Sequence, residues 1–346
     1  MDMKEQRFGI EIEMTGLSRQ RAAQVLSEYF GRPVRNDGGF YDEYSVLDSQ
    51  NRRWKVMSDA SINEESRCGV ADKTYRVELV SPICTYGDIE TIQEIVRKLR
   101  GAGMLVNKSC GIHIHLDASP HNANTLRNIT NIMASKEDLI YKAMQVEVAR
   151  ERQYCKKVEQ SFLEELNRKK PKTLEQVSRI WYNGNDGRHE HYHNSRYHCL
   201  NLHSVFQKGT IEFRLFNSTT HAGKIKAYIQ FCLAISAQAL NQKCASRQKT
   251  RSTNEKYTFR TWLLRLGLIG DEFKTARLHL LEHLDGCIAW KDPAQAEQQK
   301  QRLRQKKEKE LVEAAQALSA QREQTIENEQ EQAGEQEECP GLSMSM

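Results

Sequence analysis

The sequence predicts a protein of the α+β class, with both strands and helices, because it contains segments with a strand period as well as segments with a helix period. Apolar and polar residues alternate in Phe8–Met14, and the same two-residue period returns at 111–117 and 209–216. Residues 88–100 instead place their apolar side chains on one face of a helix. The 346 residues, of which 38% are hydrophobic, suffice to bury the core that such a fold needs.

Cysteine usage and hydropathy indicate the compartment. The nine cysteines occur singly, without a Cys-x-x-Cys pair, which is typical of reduced thiols. No run of about 18 apolar residues occurs, and no apolar run follows the first four residues. We therefore expect a cytoplasmic protein that has neither a signal peptide nor a membrane span.

Charge is unevenly distributed along the chain. Residues 291–346 hold 8 Lys/Arg and 12 Asp/Glu, a net charge of −4, so a total of +5 leaves +9 on residues 1–290. All 11 histidines lie in that basic part. A modestly basic body suits a nucleotide, a phosphorylated substrate or a nucleic acid, and does not distinguish them.

The first predicted strand carries two carboxylates on one face. Glu11 and Glu13 are two residues apart, so in a strand they point to the same side. Neighbouring carboxylates repel each other unless a positive charge lies between them, and Mg²⁺ or Mn²⁺ prefers oxygen ligands. The alternative is a strand with a solvated acidic face.

The residues that follow, up to Asp59, predict a helix, a turn and two short strands. Ser18 is the predicted N-cap of a helix that ends near Phe30. The Asn-Asp-Gly-Gly sequence at 36–39 predicts a turn, with strands at 40–46 and 54–57. Asp59 follows the second of these, either in an Asx-turn or as an acid directed into a site.

Two further strands add polar residues. Glu78 stands alone in an apolar strand at 75–82, where burial is costly unless the carboxylate is paired or ligated. In 111–117, His113, His115 and Asp117 share one face. One strand histidine is usually structural, whereas two on one face beside a glycine favour a functional role.

The central region predicts helices and a polar loop. Two helices are expected in 122–149, the second beginning at the capping pattern Ser135-x-x-Asp138, and further helices in 158–183. The loop at 184–193 contains three histidines at alternate positions, His189, His191 and His193. These permit a metal site, but a solvated or substrate-side loop is the favoured interpretation.

The last strands precede a helical C-terminal part. A strand at Arg196–Phe206 would place Asn201 and His203 on one side, and 209–216 would do the same for Glu212 and Arg214. The latter two form either an ion pair or a metal ligand beside a phosphate clamp. Helices are expected at 222–242, 258–266, 272–285 and 291–331, the last being either an exposed helix or one that binds a protein partner, followed by a disordered acidic tail.

Four motifs, taken in order, resemble the amidoligase family of carboxylate–amine ligases, in the glutamine synthetase and glutamate–cysteine ligase superfamily. They are Gly-x-Glu-x-Glu, Glu-Leu-Val-Ser-Pro, Gly-x-His-x-His and Gly-Thr-x-Glu-x-Arg-Leu-Phe, and the resemblance covers about residues 6–242. We accordingly expect a catalytic domain over 1–242, a helical extension of it over 243–290, and a separate helix and tail over 291–346.

The resemblance implies a curved antiparallel sheet of the glutamine synthetase type, with helices packed behind it and Mg²⁺ ions and ATP on its concave face. Transfer of the γ-phosphate to a substrate carboxylate would give an acyl phosphate, which an amine attacks to form an amide. The chain lacks the N-terminal domain and nucleotide loop of glutamine synthetase itself, so ammonia and glutamate are not the expected substrates. Small, peptide and protein substrates remain open.

Motif positions imply individual roles. The metal ligands would be Glu11, Glu13, Glu78, His113 and Glu212. The contacts with ATP would come from His115, Arg214, Arg196 and Asn201. Arg214 and Arg196 would also act in catalysis, Asp59 would orient the incoming amine, and His203 would line the site with Asn201.

Two other functions fit parts of the pattern. A metal-dependent hydrolase would use the same acids and histidines to activate water, but leaves Glu212 and Arg214 with less to do. A non-enzymatic nucleic-acid-binding protein would use the +9 body, but acids on three strands repel phosphates unless metals intervene. We therefore favour the ATP-dependent ligase and expect no membrane or nucleic-acid partner.

Overall fold

The computed structural model describes residues 1–67 and 69–335. The chain divides into two compact units, Met1–Gly286 and Cys287–Met346. Five cysteines within the described ranges are buried free thiols, namely Cys84, Cys110, Cys155, Cys199 and Cys232. None of the described helices is both long and apolar enough to cross a membrane.

The first unit is built on an eight-stranded sheet in which every neighbouring pair is antiparallel. Its strands are β1 (Phe8–Met14), β2 (Arg35–Gly38), β3 (Glu43–Leu47), β4 (Arg53–Met57), β5 (Val77–Val80), β6 (Gly111–Asp117), β7 (Leu200–Asn201) and β8 (Thr210–Asn217). Their spatial order is β2-β3-β4-β5-β1-β6-β8-β7. The α+β prediction is thus confirmed at the level of an antiparallel sheet with helices.

Ten helices accompany this sheet within the described part of the first unit, apart from short 3₁₀ turns. They are α1 (Arg19–Phe30), α2 (Ile89–Gly101), α3 (Ala123–Met144), α4 (Val148–Gln153), α5 (Gln160–Lys169), α6 (Leu174–Trp181), α7 (His203–Lys208), α8 (Ala222–Asn241), α9 (Glu255–Arg265) and α10 (Lys274–Leu281). Helix α8 is buried along most of its length and contacts α2, α3, α10 and β6.

The core lies between the helices and one face of the sheet. Along β1 and β6 the apolar side chains alternate with polar ones, and Ile10, Ile12, Ile112 and Ile114 are all buried in this core. Because successive strand residues point to opposite faces, the acidic and histidine side chains of the same strands lie on the other, open face.

Register brings polar residues of separate strands together on that open face. Glu13 of β1 is the partner of Glu78 of β5, while Glu11 is the partner of His113 of β6. On the other side of β6, His115 is the partner of Glu212 of β8. The central four strands therefore position the polar residues of all four motifs.

Two of the predicted elements are wrong. Residues 123–144 form one continuous helix, in which Ser135 is internal and its hydroxyl donates to the carbonyl of Gln248 instead of capping a helix. The predicted strand at Arg196–Phe206 is reduced to Leu200–Asn201. Arg196 lies in a 3₁₀ turn, and His203 begins α7, which ends at Gly209 with a left-handed φ of 72°.

The predicted turn at 36–39 is displaced as well. Its first residues form β2, which pairs with β3, and the chain reverses instead at 39–42. Phe40, predicted to lie in a strand, is an almost fully exposed turn residue. Asn36 Oδ1 accepts a hydrogen bond from the backbone of Gly38, so the Asx-turn chemistry that predicted the turn is present within the strand.

The second unit contains α11 (Pro293–Glu335). This helix extends the predicted one, and its large apolar side chains Leu303, Leu311, Val312 and Leu318 are exposed. Most of the predicted disordered acidic tail, at 336–346, lies outside the described residues.

Candidate active site

Four glutamates and two histidines converge on the open face of the sheet. They come from β1 (Glu11, Glu13), β5 (Glu78), β6 (His113, His115) and β8 (Glu212). The side chains of Glu13, His113 and Glu212 are almost fully buried. A group of buried carboxylates is costly unless cations or hydrogen-bond donors compensate it.

His113 lies at the centre of this cluster. Its Nδ1 is 3.0 Å from Glu11 Oε2 and 3.9 Å from Glu212 Oε1, and its Nε2 is 3.6 Å from Glu13 Oε1. Two overlapping triads result, Glu11–His113–Glu212 and Glu13–Glu78–His113, and in each the ligand atoms lie within 4.8 Å of one another. Carboxylate and imidazole groups at such separations suit divalent cations, with His113 available as a ligand to one of them.

Glu212 is held by partners on its own strand and on β7. Arg214 Nη1 donates to Glu212 Oε1, and Asn201 Nδ2 donates to Glu212 Oε2 over 2.7 Å. Burial would raise the pKa of Glu212, but the charge of Arg214 and of the nearby histidines outweighs it and lowers that pKa to about 2. The predicted pairing of Glu212 and Arg214 is present, and it leaves Glu212 ionised.

Glu11 and His115 compensate each other. His115 Nε2 is 3.2 Å from Glu11 Oε1, while its Nδ1 is 3.1 Å from Thr210 Oγ1. Burial alone would raise the pKa of Glu11, but His115 and His113 hold it well below its usual value. Burial likewise opposes the charge on His115, yet Glu11 and Glu212 raise the pKa of His115 above its usual value.

Glu78 lacks a directly contacting partner among the described residues, although the charge of Arg214 partly favours its ionised form. Its carboxylate is buried and forms no hydrogen bond or ion pair with any residue in the described ranges. Burial, followed by the negative charges of Glu11, Asp59 and Glu13, raises the pKa of Glu78 well above its usual value. A buried carboxylate beside three other acids and without a partner fits a divalent cation, which would supply the missing positive charge.

Comparison with known proteins identifies the family of this chain. The model of a protein family described as "Putative amidoligase enzyme" matches residues 4–236, which include all four strands of the cluster. The chain belongs to this amidoligase family. It is therefore an enzyme of the class that forms carbon–nitrogen bonds.

No curated protein matches the amidoligase chain significantly. Among solved structures, a bifunctional glutathione synthetase from Pasteurella multocida aligns with 12% sequence identity and a TM-score of 0.37. That alignment covers 81% of this chain and 47% of the synthetase, so the chain spans about half the length of that protein.

Asp59 lies beside the amidoligase cluster and also forms its Asx-turn. Its Oδ1 accepts a hydrogen bond from the backbone nitrogen of Ser61 over 2.6 Å. Its charge contributes to the raised pKa of Glu78, which places it near that carboxylate. The two interpretations of Asp59 are thus compatible, and its contact with an amine stays a prediction.

Arg196 is not among the residues that contact the cluster. Its guanidinium donates to the carbonyl of His191 over 3.2 Å and lies over the rings of Tyr192 and Tyr197, at 5.3 and 5.7 Å. It forms no ion pair within the described part of the chain. Its role toward ATP stays a prediction. His203 is similarly engaged elsewhere, with its Nδ1 2.6 Å from Tyr182 Oη.

The loop at 184–193 adopts turns, and its three histidines belong to neither triad of the described residues. His193 instead accepts a hydrogen bond from the backbone of Ser195. Within this loop, Tyr192 Oη lies 2.8 Å from Tyr41 Oη of the turn between β2 and β3. The loop, which precedes β7 at one edge of the sheet, therefore reaches the turn that follows β2, the strand at the opposite edge.

A pocket adjoins the cluster at the end of β1 that carries Phe8. It has a volume of about 300 Å³ and takes in Glu11 and His115. Apolar parts of its wall come from Val80, Pro82 and Ile83, and Lys208 stands at its edge. Lys208 is exposed and forms no ion pair with any described residue.

Sequence reasoning missed one buried residue of the site, Arg150 of α4. Its Nη1 is 3.8 Å from Glu13 Oε2, and its side chain is almost completely buried. Nothing in the polar sequence of this six-residue helix separates Arg150 from its neighbour Arg152. The one available signal was Gly111, whose missing side chain admits a close approach.

Proposed function

We propose that this amidoligase is an ATP-dependent carboxylate–amine ligase that works with Mg²⁺, or with Mn²⁺ in its place, through an acyl phosphate. The observation that carries the proposal is Glu78, a buried carboxylate without a contacting partner in the described part of the chain, in one of two overlapping triads of ligand atoms. Phosphates would be repelled by four glutamates, so a nucleotide can approach this face only together with cations.

The residues present fit two cations. Glu11 and Glu212 would hold one, and Glu13 and Glu78 the other, while His113, whose neutral ring has a single lone pair, would be a ligand to one of the two. Bound there, the cations would neutralise the phosphates of ATP and the charge that develops during phosphoryl transfer. The antiparallel order of the sheet, with these acids on one face, also supports the proposal of a sheet of the glutamine synthetase type, which the family resemblance implies.

The two ends of the cluster differ in a way that supports an orientation for the substrates. At the Phe8 end, the pocket offers apolar walls and the free ammonium group of Lys208, which suit a nucleoside and its phosphates. At the other end, the carboxylate of Asp59, which lies near Glu78, suits an amine. In this arrangement ATP occupies the pocket and the amine approaches from the side of Asp59.

The chemistry requires two steps. The γ-phosphoryl group passes from ATP to an oxygen of the substrate carboxylate and ADP is released, and the amine nitrogen then attacks the acyl carbon as the bond to phosphate breaks and inorganic phosphate leaves. Arg214 and His115 would stabilise the transferring phosphoryl group, while Asp59 would orient the amine, which loses a proton as the amide forms. The product is a peptide or isopeptide-like bond; the substrates are a carboxylate and an amine, either of which a peptide or protein can supply.

The C-terminal helix has a separate proposed role. The exposed side chains of Leu303, Leu311 and Leu318 support the binding of a protein partner by α11. The cluster does not favour a nucleic acid, because it brings together carboxylates and not an excess of the Lys and Arg side chains that bind phosphates.

Calorimetric binding of ATP, with and without Mg²⁺, tests the proposal. Wild-type protein should bind ATP only with Mg²⁺, and Glu13→Gln should abolish that binding. Glu137→Gln is the matched control, because Glu137 is also buried but contacts Lys249 and the backbone of Val158 away from the cluster. Binding that is independent of Mg²⁺, or absent in folded wild-type protein, would reject the ligase and favour a hydrolase.

A further inference from the structure

A second buried arginine lies behind the acidic cluster. Arg150 Nη1 donates to the carbonyl of Ser109 over 3.2 Å, and its Nη2 donates to the carbonyl of Arg214 over 3.3 Å. The guanidinium thus joins α4 to the residues before β6 and to the middle of β8. Its Nη1 also lies 3.8 Å from Glu13 Oε2, so it is a fixed positive charge next to a buried carboxylate.

Gly111 is what allows the guanidinium to lie there. A Cβ built on Gly111 would be 2.1 Å from Arg150 Nη2 and 2.5 Å from its Cζ, well inside contact distance. The backbone of Gly111 is extended within β6, so the requirement for glycine is one of space and not of φ. Glycine at this position and arginine at 150 therefore form one structural unit.

The two carboxylate oxygens of Glu13 have different contacts with Gly111 and Arg150. Oε2 accepts a hydrogen bond from the backbone nitrogen of Gly111 over 2.5 Å and faces the Arg150 guanidinium. Oε1 has neither contact and lies 3.6 Å from His113 Nε2, on the side of the triad that includes Glu78. One oxygen is anchored, and the other is left for a ligand.

We propose that Arg150 is a positioning residue that anchors Glu13 so that its free oxygen is directed at a divalent cation. The cation itself rests on the proposed function, whereas the anchoring rests on the contacts of Arg150. Groups that orient a metal-binding carboxylate commonly change metal affinity by 10- to 100-fold when they are removed.

A positioning role for Arg150 and a purely electrostatic role predict opposite changes in cation affinity when Arg150 is replaced. If Arg150 were only a nearby positive charge, Arg150→Met would make the site more negative and tighten cation binding. If Arg150 positions Glu13, the same substitution weakens binding, because the carboxylate loses its fixed orientation. The sign of the change therefore separates the two roles.

The test is calorimetric titration with Mn²⁺, without nucleotide, at constant pH. Arg150→Met should weaken binding by about 10-fold or more. Gly111→Ala should weaken it as well, because it displaces the guanidinium while keeping the charge. Arg19→Met is the control: Arg19 is equally buried and donates to the carbonyls of Lys73 and Arg76, so its loss should lower the melting temperature without changing Mn²⁺ affinity.

The outcomes of this titration distinguish the positioning role of Arg150 from the proposed ligase function. Unchanged or tighter Mn²⁺ binding by folded Arg150→Met would overturn the positioning role while leaving the ligase proposal intact, and absence of binding by wild-type protein would overturn both. If Arg150→Met does not fold, Gly111→Ala decides, since wild-type affinity in that variant would contradict the proposal.

Discussion

Glu13 on β1 lies directly opposite Glu78 on β5 in the antiparallel register, and both carboxylates are buried. Like charges in such a cross-strand pair destabilise a sheet. The metal-free protein therefore retains a pair that costs stability, which indicates selection for function at this position and not for folding.

Glu78→Gln should stabilise the metal-free protein and weaken its binding of Mg²⁺. Because the pKa of Glu78 is raised, the folded state binds this proton more tightly than the unfolded state, and wild-type stability falls as the pH rises above the usual glutamate value. For one proton the slope is at most about 1.4 kcal/mol per pH unit. Denaturant unfolding in EDTA from pH 4.5 to 8 should show a shallower fall for Glu78→Gln.

Saturating Mg²⁺ should make wild-type protein more stable than Glu78→Gln, because a ligand that binds only the folded state adds stability according to its affinity. Wild-type protein should gain stability with Mg²⁺, and Glu78→Gln should gain much less. Equal gains in the two proteins would show that Glu78 does not take part in cation binding.

His121 should produce a pH dependence of the opposite sign. Its ring is buried, with Nε2 2.9 Å from Ser236 Oγ, and burial lowers the pKa of His121 to about 4. The unfolded state then binds this proton more tightly, so stability is full above the ordinary histidine pKa and is lost as the pH falls toward 4. His121→Gln should remove up to about 3 kcal/mol of this acid sensitivity.

The comparison for His121→Gln is the difference in unfolding free energy from wild type, measured between pH 7 and 4.5. Other groups titrate in the same range in both proteins, so only the difference reports on His121. A difference that stays constant with pH would contradict the neutral buried ring.

The local sequence predicted the strands and which of their residues share a face. It did not predict which residue of the neighbouring strand lies opposite each acid. The two-residue period of Phe8–Met14 places Glu11 and Glu13 together, and it does the same for His113 and His115 in β6. The register that pairs Glu13 with Glu78 joins residues about 65 positions apart, and no local pattern encodes it. Motif order supplied that information, through the family resemblance.

The errors have a common physical cause, which is tertiary contact that overrides local preference. Ser135 carries a good capping pattern, yet it lies inside α3 because the helix is buried on both sides of it. Arg150 had no pattern at all, since its role depends on the space above Gly111. Arg196 was assigned to a strand on alternation alone, whereas only Leu200 and Asn201 find partners on β8.

The bond between Tyr41 and Tyr192 should restrain the loop that carries Tyr192. Tyr41→Phe removes the hydrogen bond between the hydroxyl groups, which is worth about 0.5–1.5 kcal/mol. Amide hydrogen exchange at 187–196 should accelerate by about 2- to 10-fold, while Mg²⁺-dependent ATP binding is unchanged.

A double-mutant cycle checks the assignment of this bond. Tyr41→Phe and Tyr192→Phe should each accelerate exchange, and the double variant should be no faster than either single one, because all three lack the same bond. Additive effects would mean that the two hydroxyl groups act separately.

Gly9 offers a direct test of which end of the cluster receives the nucleotide. It lines the pocket at the Phe8 end, on the same face of β1 as Glu11, and a Cβ there would come no closer than 3.8 Å to a neighbouring atom, Ser81 Oγ. The backbone at Gly9 therefore has room for the Cβ of Gly9→Val, and the valine side chain would occupy part of the pocket. We expect it to weaken Mg²⁺-dependent ATP binding by at least about 10-fold while leaving Mn²⁺ binding without nucleotide unchanged.

Lys208→Ala makes the complementary change, because it removes the free cation at the edge of the pocket and adds no bulk. It should weaken ATP binding less than Gly9→Val does, by about 3- to 10-fold, and more strongly at low salt, as expected for an exposed charge acting on phosphates. Adenosine, which carries no phosphate, should discriminate the two variants: Gly9→Val impairs its binding and Lys208→Ala does not. If both variants bind ATP like wild-type protein, the nucleotide occupies the Asp59 end, and the proposed orientation of the substrates is reversed.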